Sequence, residues 1–114
     1  MIAFSGIVSK VREVLNAQLD VDPEDGYSDS ELTMWAKQAA FEILNLKPWL
    51  YVDTDGNPRG SSQIVTNSGA DIPEKYEGAL IHGTLMFVFG EDMQRGSYER
   101  GQFYAQLGVG GRAK

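Results

Sequence analysis

One histidine and two acidic runs are the residues of this 114-residue chain whose types could support chemistry. His82 would act as a general base if a carboxylate oriented its ring. It lies in an apolar stretch, however, where Glu77 and Asp92 are too far along a helix to pair with it. We therefore interpret His82 as a packed or interface histidine. The chain has no cysteine, which excludes disulfide scaffolds, cysteine-ligated zinc and thiol catalysis.

The two acidic runs invite comparison with calcium-binding loops. Asp53–Asn57 offers oxygen atoms at the first, third and fifth loop positions, but Pro58 and Ile64 stand where an EF-hand needs glycine and a bidentate glutamate. In the run Asp20–Gly26 the glycine falls one residue late. We interpret both runs as turn-forming segments, because Asp, Asn, Gly and Pro are the residues that turns prefer.

A glycine-rich segment at the end of the chain, GVGGRAK, resembles a phosphate-binding loop only in composition. No helix follows it to supply the dipole that binds phosphate, and the chain has neither GxxxxGK[ST] nor GxGxxG. The sequence therefore predicts no catalytic residues, no metal, no cofactor and no enzymatic activity.

The elements that would position these residues are mostly helices. Apolar residues at helical spacing predict a first helix over residues 2–19. A second begins at Ser28, which forms a capping box with Glu31, and ends near Leu46 because Pro48 follows. Its apolar face consists of Leu32, Trp35, Ala36, Ala39, Ile43 and Leu46.

The segment between the second and third helices has no helical pattern. Leu50–Val52 and Gln63–Thr66 are strand-like, and a strong turn at Asp55–Pro58 lies between them. Long loops inside small domains are usually functional or disordered. We therefore predict a projecting hairpin or an arm that orders on a partner, with a floppy surface loop as the alternative.

Two more helices close the chain. The third opens at Asp71–Glu74 and is apolar on nearly every side from 79 to 89, which is typical of a helix at the centre of a bundle or buried by another subunit. A more polar fourth helix follows. The predicted fold is all-α: one domain over residues 1–107, a small bundle of about four helices with a long extended or β-hairpin insertion at 49–72, and a flexible tail at 108–114.

The charge is acidic, with 16 Asp and Glu against 10 Lys and Arg and a net charge of −6. The excess lies in the first half of the chain, mainly within residues 20–31. A module that grips DNA normally carries a basic stripe instead. No stretch is apolar over enough residues to span a bilayer, so we expect no membrane contact.

Four segments of the sequence, taken in order, match the pattern of a known protein family. They are VSKVREVLN, SDSELTMWAKQAAFEILNLKPW, IPEKYEGALIHGTLMFVFGEDM and RGSYERGQFYAQL, and they span most of residues 2–107. In their order and their local sequence, these segments resemble the small head–tail connector (adaptor) proteins of tailed bacteriophages. None of the phrases is a catalytic or metal-binding motif, so the resemblance concerns the fold and its use in assembly.

The resemblance implies a structural virion protein, assembled in the host cytoplasm, at the head–tail junction. Copies would form a dodecameric ring on the portal protein, extend the channel for passing DNA without sequence-specific binding, and offer a platform to a downstream tail protein. The segment implied to bind the portal is Gly108, Val109, Gly110, Gly111, Arg112, Ala113 and Lys114. Candidates for contacts with other copies or the tail are Tyr51, Val52, Asp55, Arg59, Ile64 and Val65.

An acidic channel wall would repel DNA phosphates and let the genome slide. The candidates for that wall are Asp20, Asp22, Glu24 and Asp25. The alternative function is a small acidic regulatory or inhibitor protein that binds a basic partner with strong salt dependence. That alternative explains the clustered charge but neither the insertion nor the basic, glycine-rich tail.

Overall fold

The predicted helices are present, and two short strands accompany them. The computed structural model describes residues 1–19, 27–90 and 93–108. Within them the elements, in chain order, are β1 (Ile2–Ala3), α1 (Phe4–Leu19), α2 (Asp29–Leu46), a 3-10 turn (Pro48–Tyr51), α3 (Ser61–Ile64), β2 (Gly69–Ala70), a second 3-10 turn (Glu74–Tyr76), α4 (Glu77–Phe89) and α5 (Met93–Gln106). The prediction of a small, mostly helical protein is confirmed.

Helix α2 begins and ends where its sequence predicts. The amide of Glu31 donates to Oγ of Ser28 at 3.1 Å, and the amide of Ser28 donates to the Glu31 carboxylate at 3.1 Å. This reciprocal pair satisfies two of the amides that a helix start leaves without partners. At the other end the amide of Lys47 still bonds to the Ile43 carbonyl, and Pro48 then prevents further helix.

Helix α4 lies at the centre, packed against α1, α2 and α5. Three helices come close together at Gly83, where an added Cβ would lie 2.8 Å from the Phe103 ring and 2.9 Å from Cβ of Ala39. Helices of the same chain therefore cover most of the apolar surface of α4, although Ile81, Phe87 and Phe89 stay partly exposed. Among the described residues, no helix has both the length and the apolar character to cross a bilayer.

The first helix starts two residues later than predicted because Ile2 and Ala3 form a strand. They pair antiparallel with Ala70 and Gly69, and the Phe4 amide continues the pairing to the Ser68 carbonyl at 2.9 Å. A Cβ on Gly69 would lie 2.4 Å from the Ile2 carbonyl oxygen, so only glycine allows this approach. The N-terminus is thereby tied to the far end of the insertion.

The insertion is not the projecting hairpin that its sequence predicts. The first predicted strand is largely a 3-10 turn, and the first half of the second belongs to the short helix α3, with only isolated pairs at Val52–Pro58 and Val65–Ala70. An isolated two-stranded hairpin is marginally stable, whereas packing its apolar side chains on the bundle removes them from water. The buried side chains of the segment are Leu50, Ile64, Val65, Ala70 and Ile72.

Candidate interaction surfaces

The solvent face of α2 carries two large apolar side chains. Met34 is 48% exposed and Phe41 is 37% exposed, and the two lie on the side opposite the buried Ala36, Ala39 and Ile43. Gln38 and Asn45 complete this line, which we call the α2 ridge: Met34, Gln38, Phe41 and Asn45. Amphipathic helices usually place polar residues on this face, so the ridge is a candidate contact surface.

Charged residues flank the α2 ridge. Glu31 and Glu42 lie along one side of it, and Lys37 lies on the other, where its Nζ donates to Oδ1 of Asn67 at 2.8 Å. Over its whole length α2 has three acidic residues and one basic residue, so its surface is acidic. Asp29 at the helix start pairs with Arg12 of α1. The ridge thus alternates apolar and amide side chains and has a negative margin on one side.

The folded insertion is held by Arg59. Its Nε and Nη2 donate to the Leu50 carbonyl at 3.1 and 3.0 Å, and its Nη1 and Nη2 donate to the Asp71 carboxylate and carbonyl at 2.7 and 3.1 Å. A planar guanidinium can satisfy several acceptors at fixed angles at once. Arg59 therefore joins the beginning and the end of the insertion, and its guanidinium is engaged inside the chain.

The predicted insertion contacts are divided between surface and core. Val52 and Asp55 are exposed, and Tyr51 is half-buried beside them. Ile64 and Val65, in contrast, are buried in the chain's own core: Ile64 is the last residue of α3, and Val65 follows it in an antiparallel pair with Ala70. These two side chains are therefore not available to a neighbouring molecule in this conformation. Trp49, the first residue of the insertion, is 59% exposed, and Nζ of Lys47 lies over its ring, 5.1 Å from the ring centre.

The Asp53 carboxylate, considered above as a calcium ligand, is used within its own turn. Its Oδ1 accepts the amides of Asp55 and Asn57, each at 2.9 Å. Gly56 adopts a φ of +85°, which glycine tolerates best, and its amide closes the turn onto the Asp53 carbonyl. In the part of the chain that the structure describes, no three His, Cys, Asp or Glu side chains group as metal ligands.

His82 has a partner that the sequence analysis missed. Its Nδ1 lies 2.6 Å from Oε2 of Glu99, a carboxylate that is only 3% exposed on the inner face of α5. A buried carboxylate requires a hydrogen-bonding partner, and this contact joins α4 to α5. The signal was present in the spacing of Gly96, Glu99, Phe103 and Leu107, which places Glu99 on a core-facing line.

The remaining predicted residues lie at or beyond the limits of the described chain. Gly108 follows α5 with a φ of +73°, and its amide bonds to the Ala105 carbonyl at 3.0 Å. Residues 109–114, which complete the predicted portal-binding segment, lie outside the described residues, and so do Asp20, Asp22, Glu24 and Asp25.

We compared the chain with protein-family models, with curated proteins and with solved structures, and none of these comparisons gave a match.

Proposed function

We propose that this chain is the subunit of a ring at the head–tail junction of a tailed bacteriophage. In this role it docks on the portal protein, extends the DNA channel and presents a platform for the tail. The observation that carries the proposal is the layout of the helices. The sequence segments that resemble the connector family coincide with α1, α2 and the closing pair of α4 and α5.

The exposed apolar residues support self-association. The α2 ridge carries Met34 and Phe41, and the exposed Trp49 and Val52 lie beyond the end of the same helix. Exposed apolar side chains that lie near one another on a soluble protein are candidates for contacts with other molecules. A ring closes by repeating one contact between two different surfaces of the subunit, so each copy must present more than one such surface.

The proposed portal contact is the basic segment after α5. Residues 108–114 are rich in glycine and include Arg112 and Lys114 but no acidic residue, in a chain of net charge −6. Glycine-rich segments have high conformational freedom and can adapt to a partner's groove, with an ordering cost met when they bind. The exposed insertion residues Val52 and Asp55 remain candidates for contacts with other copies or with the tail protein.

Native mass spectrometry of the protein alone, and then mixed with the portal assembly of the same source, tests this proposal. We expect stoichiometric rings on the portal. Deleting residues 108–114 should abolish them while the far-ultraviolet circular dichroism spectrum stays unchanged. A matched variant that keeps the length of the segment but replaces Arg112 and Lys114 by Gln separates the contribution of charge from that of the backbone.

A protein that ignores the portal would contradict the proposal. If such a monomer instead bound a basic protein, with an affinity that fell steeply as salt was raised, the result would favour the acidic regulator. Rings that persist after the deletion would retain the connector function and reassign the portal contact to another surface.

A further inference from the structure

Trp49 is a large apolar side chain that lies outside the core of its own chain. It is 59% exposed, and it is not among the described residues that pack on the hydrophobic core. Tryptophan in folded proteins is highly buried on average. Val52, one turn further along the chain, is 46% exposed, and its amide donates to the Trp49 carbonyl at 3.2 Å. With the exposed Asp55 of the next turn they form a surface that we call the Trp49 corner: Trp49, Val52 and Asp55.

The backbone that carries the Trp49 corner is fixed in place. Pro48 restricts the first residue of the 3-10 turn, and the buried Leu50 anchors that turn to the core. Arg59 donates two hydrogen bonds to the Leu50 carbonyl, at 3.1 and 3.0 Å. A side chain on a fixed backbone loses less entropy on binding, and tryptophans in such positions often contribute strongly to protein contacts.

A groove large enough for an aromatic side chain runs along α2, on the Lys37 side of the α2 ridge. Its volume is about 510 Å³, within the range of sites that bind small molecules. We call it the α2 groove; beyond Asp29 and Ser30 at the helix start, its lining is Thr33, Met34, Lys37, Gln38, Phe41 and Asn67. Trp49 of the same chain does not line it, so an aromatic occupant would come from another molecule.

The Trp49 corner has an unpaired negative charge. Asp55 has no ion-pair partner among the described residues. Two other charged residues lie beside it: Lys47, whose Nζ is 5.1 Å from the centre of the Trp49 ring, and Asp53, whose carboxylate accepts the Asp55 amide. The charges of Lys47 and Asp53 offset each other, so Asp55 leaves the corner negative.

The α2 groove has an unpaired positive charge. Lys37 donates to the neutral Oδ1 of Asn67 at 2.8 Å and has no carboxylate partner in the part of the chain that the structure describes. Asp29, the other charged residue of the groove, is already paired with Arg12. An apolar lining with one unpaired cation therefore matches an apolar corner with one unpaired carboxylate.

We propose that the Trp49 corner of one copy docks in the α2 groove of the next copy, as the contact repeated around the ring. This inference rests on the proposed function and specifies its interface. Trp49 lies between Met34 and Phe41. Asp55 faces Lys37. Because the corner and the groove are different surfaces of one chain, each copy supplies one and receives the other, which is the head-to-tail contact that a ring needs.

Photo-cross-linking tests the contact. Trp49 is replaced by p-benzoylphenylalanine, which is also a large aromatic residue and on irradiation bonds to nearby C–H groups, those of methionine above all. We expect a covalent dimer on a denaturing gel, in solution or on the portal, with the bond placed at Met34 or Phe41 by mass spectrometry of its peptides. The matched control carries the same residue in place of Tyr98, which is 60% exposed on α5, and should give no dimer.

Complementation shows whether the contact joins two different surfaces. Trp49→Ala removes the corner and leaves the groove, whereas Phe41→Glu blocks the groove and leaves the corner. Both side chains lie on the surface, so the far-ultraviolet circular dichroism spectrum should stay unchanged. In native mass spectrometry we expect each variant alone to be monomeric, and the mixture to form a one-to-one dimer that grows no further.

Charge reversal tests the predicted ion pair. Lys37→Glu or Asp55→Lys alone should lower the photo-cross-link yield several-fold, because each places like charges across the contact. The two substitutions together should restore the yield. Glu13→Lys, on the exposed side of α1, is the control and should leave the yield unchanged.

The outcomes distinguish this interface from the proposed function. Rings on the portal whose cross-links avoid α2 would overturn the inference and leave the connector function standing. Cross-links to Met34 or Phe41 without portal binding would support the contact between copies and count against the connector function. A cross-link between two corners would show a two-fold pairing and overturn the inference. Absence of a covalent dimer both in solution and on the portal would also overturn it.

Discussion

At the scale of single residues, two glycines within helices differ in the space available for a side chain. Gly83 lies where α2, α4 and α5 converge, and a Cβ there would be 2.8 Å from the Phe103 ring. Gly101 lies on the exposed side of α5, where a Cβ would meet nothing within 4 Å. Alanine substitution at each position therefore separates the effect of packing on stability from the effect of helix propensity.

We expect Gly83→Ala to lower the free energy of unfolding by about 1–3 kcal/mol, because the new methyl group overpacks a buried crossing. Gly101→Ala should raise the free energy of unfolding by about 0.5–1 kcal/mol, because alanine favours the helix and has room. Urea denaturation of both variants, under conditions where the protein is monomeric, measures the difference. Equal stability of the two variants would contradict the close approach of the three helices at Gly83.

At the scale of elements, one side chain joins the two ends of the insertion. Arg59 makes four hydrogen bonds that join Leu50 to Asp71, across the beginning and end of the segment. Lysine keeps the positive charge but cannot form this fork, so Arg59→Lys should lose most of these bonds. We expect it to lower the free energy of unfolding by about 1–3 kcal/mol.

Arg100→Lys is the matched control for this prediction. Arg100 is exposed on α5 and has no hydrogen-bond or ion-pair partner among the described residues, so its substitution should change stability by less than about 0.5 kcal/mol. Thermal or urea unfolding of the two variants side by side gives the comparison. If Arg59→Lys were as mild as Arg100→Lys, the insertion would be held by its buried apolar residues alone.

Local signals predict the helical elements well and the insertion poorly. The capping box at Ser28 and the stop at Pro48 involve neighbours in sequence, so the bounds of α2 follow directly from them. In the insertion, alternation around Ile64 resembles a strand, but burial of that side chain favours a helical turn. Tertiary packing commonly overrides β propensity in this way.

The candidate surfaces also depend on tertiary contacts that local sequence patterns do not show. The contact between His82 and Glu99 joins residues 17 positions apart on two helices, and only the packing of α5 on α4 brings them together. The α2 ridge could have been predicted from the sequence, since Met34 and Phe41 lie opposite the apolar face of the helix. It was missed because single exposed apolar residues are common and their neighbours in space were unknown.

At the scale of the whole molecule, the insertion and the helices form one packed unit. Ile64 and Leu50 lie in the same core cluster as residues of all four long helices. The N-terminal strand also pairs with Gly69–Ala70 at the end of the insertion. Unfolding the segment alone would expose this shared core, so we expect it to open only together with the helices.

Amide hydrogen exchange measures this cooperativity residue by residue. The Asp71 amide donates to the Ile64 carbonyl at 2.7 Å, and the Phe4 amide donates to the Ser68 carbonyl at 2.9 Å. Both should exchange with an opening free energy close to that of global unfolding, as in the middle of α4. The Asp55 amide is an internal control, because it bonds only to the nearby Asp53 carboxylate in an exposed turn and should exchange fast. If the Asp71 amide exchanged as fast as that of Asp55, the insertion would be an independent arm, as its sequence pattern predicts, and Ile64 and Val65 would again be available to a partner.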